Sequence, residues 1–191
     1  MSARKMAPQL SEDEIDDVIY FARAGDESEL AESLQALAMR EEVSRAEILQ
    51  AAQDEAKSTA LHMATGNGHL ATVRKMLSVF EQRPKEEKQL FLDAANEHGN
   101  TGLHWAALGG HLEVVKELLE QGASPAIANE KNYVPLDLAL FNDKAQVAEY
   151  FLSFSGQLEM KNEEAGLSKA AEMVQLSSQE EVKDDESTMK D

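Results

Sequence analysis

A chain of 191 residues is sized for one domain with a tail, and it contains no cysteine, which excludes disulfide staples, thiolate metal sites and a cysteine nucleophile. Eighteen basic against 36 acidic side chains leave a net charge of −18, the wrong sign for neutralising phosphates, so nucleic acid is a poor direct partner, whereas a basic protein would be steered by the field. Hydrophobic residues at 42% suffice for a core, and aromatics at only 5% favour helices packed through small residues over a sandwich or barrel. No stretch approaches the roughly 20 apolar residues that span a bilayer. The opening Met-Ser-Ala-Arg-Lys-Met-Ala-Pro lacks the apolar core of a secretory signal, so a soluble, intracellular protein with no membrane partner is expected.

Residues 1–10 carry a charge of +2 and are expected to be flexible, whereas residues 11–59 carry −10. The cluster Glu12, Asp13, Glu14, Asp16 and Asp17 is either a solvated acidic face or a surface for something positive. Ala22-Arg23-Ala24-Gly25-Asp26, followed by Leu30 and Leu34, has the form of a helix, a glycine turn and a second helix; with its polar outer side it reads as a capping repeat over about 11–43. In an insert over about 44–53, Ser44-x-x-Glu47 is a capping-box pattern that predicts a short extra helix.

Two strings then align without gaps: Thr59-Ala60-Leu61-His62-Met63-Ala64 through Leu70, and Thr101-Gly102-Leu103-His104-Trp105-Ala106 through Leu112. A degenerate third copy, Val134-Pro135-Leu136-Asp137-Leu138-Ala139, places Leu136 33 residues after Leu103. Thr59 and Thr101 stand where a hydroxyl caps free helix amides, and Pro135 suits a first helical turn. Leu61, Leu103 and Leu136 point to the core, small Ala64, Ala106 and Ala107 let helices approach, and Gly68 and Gly110 end the first helix of each unit. Leu70, Val73 and Leu77, like Leu112, Val115 and Leu119, recur at the spacing of a buried helical stripe. These units occupy about 54–83, 94–125 and 129–154.

The steps are uneven, 43 from Gly25 to Gly68, 42 to Gly110 and 33 to its counterpart Asp143, so a second insert follows the first. There Pro84 closes a helix and Leu90-Phe91-Leu92 supply apolar anchors; both inserts either decorate one face or lengthen the second helix and its return loop. Residues 155–191 carry −6 and too few apolar side chains to offset ordering, so an acidic, mostly disordered tail is expected. Leu167, Ala170, Ala171 and Val174 fall at helical spacing, and a short docking helix is the alternative there.

The repeated Thr-x-Leu-His-x-Ala strings and the 33-residue step resemble the signature of the ankyrin-repeat family over about residues 54–154. The fold this implies is all-α: a solenoid of about four helix-turn-helix repeats with β-turn-like loops, two short inserts and an acidic tail. Ankyrin proteins bind partners through turn tips and the ends of first helices. By alignment these are Glu55 and Ser58; Glu97, His98, Asn100 and Leu108; and Glu130, Tyr133, Phe141 and Asn142. Leu108, Tyr133 and Phe141 form an apolar strip rimmed by acids, suited to a basic amphipathic helix, although Phe141 would equally seal the last repeat.

Other chemistry finds little support. His62, His69, His104 and His111 recur at equivalent repeat positions a repeat width apart, which argues for structural roles and against one shared zinc ion. Gly66-x-Gly68-x-x-Ala71 fits a dinucleotide fingerprint only formally, because a helix and not a strand precedes it. Trp105 stands where a packing residue is expected, with a binding hot spot as the alternative. No catalytic motif occurs, so neither an enzyme nor a cofactor is expected.

The arrangement is similar to one group, the small acidic fungal ankyrin-repeat chaperones of small-subunit ribosomal protein three. The residues that narrow the match are Ala22-Arg23-Ala24-Gly25-Asp26, Ser58-Thr59-Ala60-Leu61-His62-Met63-Ala64, Gly99-Asn100-Thr101-Gly102-Leu103-His104-Trp105-Ala106 and the acidic tail. The resemblance implies a monomer that pairs with newly made basic ribosomal protein three, keeps it soluble and escorts it from cytoplasm to nucleus, meeting import receptors through the client. Glu12, Asp13, Asp16, Asp17, Glu97 and Glu130 would supply complementary charge. The other reading is an ankyrin scaffold or inhibitor that masks a signalling protein or transcription factor, since the fold alone does not choose between them.

Overall fold

A computed structural model of the protein describes residues 7–155. The expectations for residues 1–6 and for the tail beyond Ser155, including the spacing of Leu167, Ala170, Ala171 and Val174, lie outside the described residues. The chain divides into two compact units, 1–150 and 151–191; of the second, residues 151–155 are described and are helical.

The described part of the first unit is built from helices: α1 (Glu12–Ala24), α2 (Glu27–Arg40), α3 (Arg45–Ala51), α4 (Ala60–Gly66), α5 (Leu70–Ser78), α6 (Lys85–Leu92), α7 (Gly102–Gly109), α8 (Leu112–Glu120), α9 (Pro135–Phe141) and α10 (145–150). Four pairs, α1/α2, α4/α5, α7/α8 and α9/α10, make the repeats. First helices stack on first helices, α1 on α4 on α7 on α9, and α2, α5 and α8 stack behind them. This is the expected all-α repeat solenoid.

The stacking follows from small side chains at the close approaches. Ala64, Ala106 and Ala139 occupy equivalent sites, four residues before Gly68, Gly110 and Asp143, and are fully buried, with Leu61 and Leu103 beside them; Ala22 of α1 is buried as well. Leu136 is only half-buried in the last repeat, as are Leu70 and Leu112, so the buried stripes of the second helices run Val73, Met76, Leu77 and Val115, Leu118, Leu119. Arg74 Nε donates to Glu117 Oε2 at 2.6 Å and ties α5 to α8.

Helix boundaries follow local chemistry. Ser11 and Ser44 form capping boxes with Glu14 and Glu47, and Asp26 caps α2. Gly25, Gly68 and Gly110 take left-handed φ values of 75°, 76° and 79°, and Asp143, their counterpart by alignment, takes 55°. The N-terminal stretch is tied down as far as Gln9, whose amide donates to Glu41 and whose carbonyl accepts from Arg40. Arg40 also pairs with Glu14; that hydrogen bond and the Ser11 amide hold the Glu14 carboxyl down at about 2.

Both inserts form separate helices, which corrects one sequence expectation. Pro84 opens α6 and does not close α5, which ends at Ser78, because its ring fixes φ at −51° just before the first turn. Phe91 and Leu92 are buried anchors, Phe91 stacking on Phe80 with centroids 4.9 Å apart, but Leu90 is 71% exposed. Arg83 donates to Glu87 at 2.7 Å and lies 4.0 Å from Glu47, while Gln50 donates to the Glu87 carbonyl, so α3 and α6 brace each other.

Candidate functional site

Three turn tips are built alike. Asp54, Asn96 and Asn129 each start a tip whose ends are joined by a backbone bond of about the same length: Asp54 N to Ser58 O at 3.0 Å, Asn96 N to Asn100 O at 3.0 Å and Asn129 N to Tyr133 O at 2.9 Å. In each case the starting side chain accepts from the amide four residues on, Ser58, Asn100 or Tyr133. The tips then join one another: Glu97 N donates to Ala56 O at 2.8 Å, and Glu130 N to His98 O at 3.1 Å. Gly99 permits the second link, since a Cβ there would lie 2.9 Å from Glu130 N.

A histidine beneath each link fixes its height. The Thr59 amide donates to His62 Nδ1 at 3.1 Å, which leaves the proton on Nε2, and Nε2 donates to the Asn100 carbonyl of the next tip at 2.8 Å. Thr101, His104 and the Tyr133 carbonyl repeat this at 3.1 and 3.0 Å. Burial pushes both imidazoles below their ordinary value, outweighing the upward pull of the carbonyls, so both are neutral. The second pair of histidines works in the opposite direction: His69 Nε2 donates back to Arg23 O at 2.8 Å and His111 Nε2 to Gly66 O at 2.9 Å. These rings lie so close over Gly25 and Gly68 that a Cβ would approach them at 2.7 and 2.6 Å. All four histidines thus have structural work, and no group of three or more metal-ligating side chains occurs among the described residues.

Two recesses adjoin the row of tips. One, of about 580 Å³, is lined by Glu12, Ile15 and Asp16 of α1 and by Gln53, Asp54, Glu55 and Ala56. None of its four carboxylates pairs with a basic side chain among the described residues. The other, of about 340 Å³, is lined by Leu108 and Leu138 and by the tip residues His98, Asn100, Asn129, Glu130, Lys131 and Tyr133. Phe141 meets Tyr133 edge-on with centroids 5.0 Å apart. Leu108, Tyr133 and Phe141 are exposed to 44%, 37% and 62%.

The sequence candidates therefore sort unevenly. Glu12, Asp16 and Glu55 share the first recess, and His98, Asn100, Leu108, Glu130 and Tyr133 share the second, with Phe141 beside it. Glu97 is exposed at its tip beside His98, at 3.5 Å, and Asn142 is exposed with its amide donating to Leu138 O. Asp13 and Asp17 are exposed on α1 but line neither recess. Ser58 is a correction: it is 3% exposed, because its backbone closes the tip and draws the side chain inward. Trp105 is half-buried, edge-on to His62 and pressed against Gly66 of the preceding repeat. Asp54, Lys131 and Leu138 line these recesses and were not singled out by sequence. Asp54 and Lys131 do sit at tip positions that alignment to Asn96 and His98 would have flagged.

A solenoid of stacked helix pairs, stitched through a Thr-x-x-His ladder and presenting a row of turn tips, defines a repeat-type binding protein. The family model described as "Ankyrin repeats (3 copies)" matches residues 18–129 and 86–162, and the chain belongs to that family. It is 40% identical over 141 residues to an ankyrin repeat-containing protein of Schizosaccharomyces pombe, covering 74% of this chain and 86% of the relative. It is 39% identical over 145 residues to ankyrin repeat-containing protein YAR1 of Saccharomyces cerevisiae, covering 75% and 70%. Among solved structures it resembles a chain in the crystal structure of the yeast ribosomal protein Rps3 in complex with its chaperone Yar1, with a TM-score of 0.69 and 38% identity over 76% of this chain and 95% of that one.

Proposed function

We propose that this protein is a dedicated chaperone of the basic ribosomal protein three of the small subunit, acting by binding and not by catalysis. The observation that carries the reading is the likeness to a chain of the Rps3–Yar1 complex over three quarters of this sequence. The chemistry agrees with it. A ribosomal protein carries unneutralised lysines and arginines until it meets RNA, and this chain offers a net charge of −18, a recess whose four carboxylates pair with no basic side chain among the described residues and, further along the row of tips, an exposed aromatic pair. Holding the client in this way keeps it soluble, and we extend the role to escort from cytoplasm to nucleus, with import receptors reached through the client.

The test is a co-purification of the full chain with ribosomal protein three, followed by light scattering on the eluted peak. A one-to-one heterodimer that keeps the client in solution at physiological salt is expected. Equal capture of an unrelated basic ribosomal protein, or no complex at all, overturns the assignment and returns the chain to the wider class of ankyrin scaffolds that mask other partners. Escort is tested by following tagged client in cells depleted of this protein, where client aggregates in the cytoplasm are expected.

A further inference from the structure

The two recesses differ in kind and lie along one row of tips. Glu55 and Ala56 line the first, Ala56 O accepts from Glu97 N, His98 O accepts from Glu130 N, and His98 and Glu130 line the second. The four carboxylates of the first are opposed by no cation of its lining. The second holds one acid and one base, Glu130 and Lys131, among apolar and neutral polar groups, with the Tyr133 and Phe141 rings at its edge. The carboxylate cluster thus lies at one end of the face and the apolar recess at the other.

We propose that this face binds one continuous partner segment of split chemistry, whose lysines and arginines lie over Glu12, Asp16, Asp54 and Glu55 and whose apolar or aromatic anchor enters the recess at Leu108, Tyr133 and Phe141. This rests on the chaperone reading for the identity of the partner, but not for the polarity of the groove. The recesses are two repeats apart. With neighbouring helices about 8–10 Å apart, the basic and apolar parts of the segment are separated by roughly 20 Å. That is about 13 residues of helix at 1.5 Å per residue, or about 6 residues of extended chain. The acidic end acts at long range and sets the encounter rate, while the anchor buries its rings at short range and sets the lifetime of the complex.

The probes are synthetic helical peptides of 18 residues and one composition, four arginines and four apolar residues. In one peptide the arginines occupy the first third and the apolar residues the last, and in the other the two kinds are interleaved. Binding to the full chain is read by fluorescence anisotropy. The segregated peptide is expected to bind at least tenfold more tightly; equal affinities overturn the split groove. The combined variant Glu12→Gln, Asp16→Asn, Glu55→Gln should slow association about tenfold and flatten its salt dependence, leaving dissociation unchanged, whereas Phe141→Ala should speed dissociation and leave the salt dependence intact. The same kinetic response to both changes also overturns it. With ribosomal protein three as ligand, photo-crosslinkers at Glu55 and Phe141 should capture a basic and an apolar stretch of one client segment. Capture of two unconnected segments rejects the proposal. A preference for the segregated peptide without any client binding sinks the chaperone reading and leaves the groove standing.

Discussion

The second and third repeats carry a histidine at two positions where the fourth does not, and the difference shows what those positions do. His62 and His104 have two ring nitrogens, so each caps its own helix through Nδ1 and passes a hydrogen bond to the following tip through Nε2. Asp137 stands at the same place in the fourth repeat and keeps only the first half: its Oδ2 accepts from the Val134 amide at 2.9 Å. A carboxylate has no proton to pass onward at neutral pH. The second histidine of the motif is replaced as well, by Lys144, whose aliphatic stem packs over Gly110 where His69 and His111 cover Gly25 and Gly68. The middle repeats therefore reach both neighbours through their histidines, whereas the fourth sends no such bond from these two positions and is tied to the third by His104 Nε2 to Tyr133 O and Glu130 N to His98 O.

The largest effect expected of this difference is on stability. His62→Ala removes one of the two hydrogen bonds to the Asn100 carbonyl and leaves two capping donors unmet beside a new void, at a cost of about 3 kcal/mol, while Asp137→Ala loses a cap alone, about 1 kcal/mol. Urea unfolding monitored by circular dichroism compares them, and equal losses would break the contrast. Next is Gly68→Ala, which combines a left-handed backbone with a methyl 2.6 Å from the His111 ring, for about 2 kcal/mol by the same measurement.

A smaller change is expected with pH. Burial lowers the folded pKa of His62 and His104 below 6.5, so the unfolded chain binds more protons as acidity rises. Their contribution is fully present above about pH 6.5 and is lost as pH falls below it, toward the folded values. Urea midpoints should fall between pH 7 and 5, and His62→Asn should flatten that slope; a midpoint independent of pH would show that neither ring is held neutral. The smallest effect is Asp143→Gly, expected to stabilise by about 0.5 kcal/mol because Asp143 already occupies the left-handed region at 55°.

Much of this architecture was legible because each repeated letter has one local job. Thr59, His62, Gly68 and their partners at 101, 104 and 110 are fixed by backbone needs, as is Ser44, which caps α3 with Glu47. Even Asp143 could be placed by counting from Gly110. Rotation and depth were less legible. Pro84 satisfies both the end of one helix and the start of another, and only the turn over 79–83 decides. In Leu90-Phe91-Leu92 three apolar neighbours share a sequence signal, but a helix turns about 100° per residue, so one of them faces water. Ser58 shares the alignment logic of Asn100 and Tyr133 yet lies inward, because depth at a tip depends on the neighbouring tip stacked against it. The recesses are products of two tips and a helix, and no single string encodes them.

The two-way stitching also bears on how the chain is made. His62 finds its acceptor on Asn100, 38 residues downstream, and His111 finds its own on Gly66, 45 residues upstream. A ribosome releases the second repeat well before Asn100 has emerged, so that repeat waits with a ring nitrogen, a row of alanines and half of its core uncovered. Repeats of this chain are accordingly expected to lock in adjacent pairs as synthesis proceeds from one end, each newcomer completing its predecessor, and the nascent protein depends on the unit behind it just as a newly made ribosomal protein depends on its chaperone.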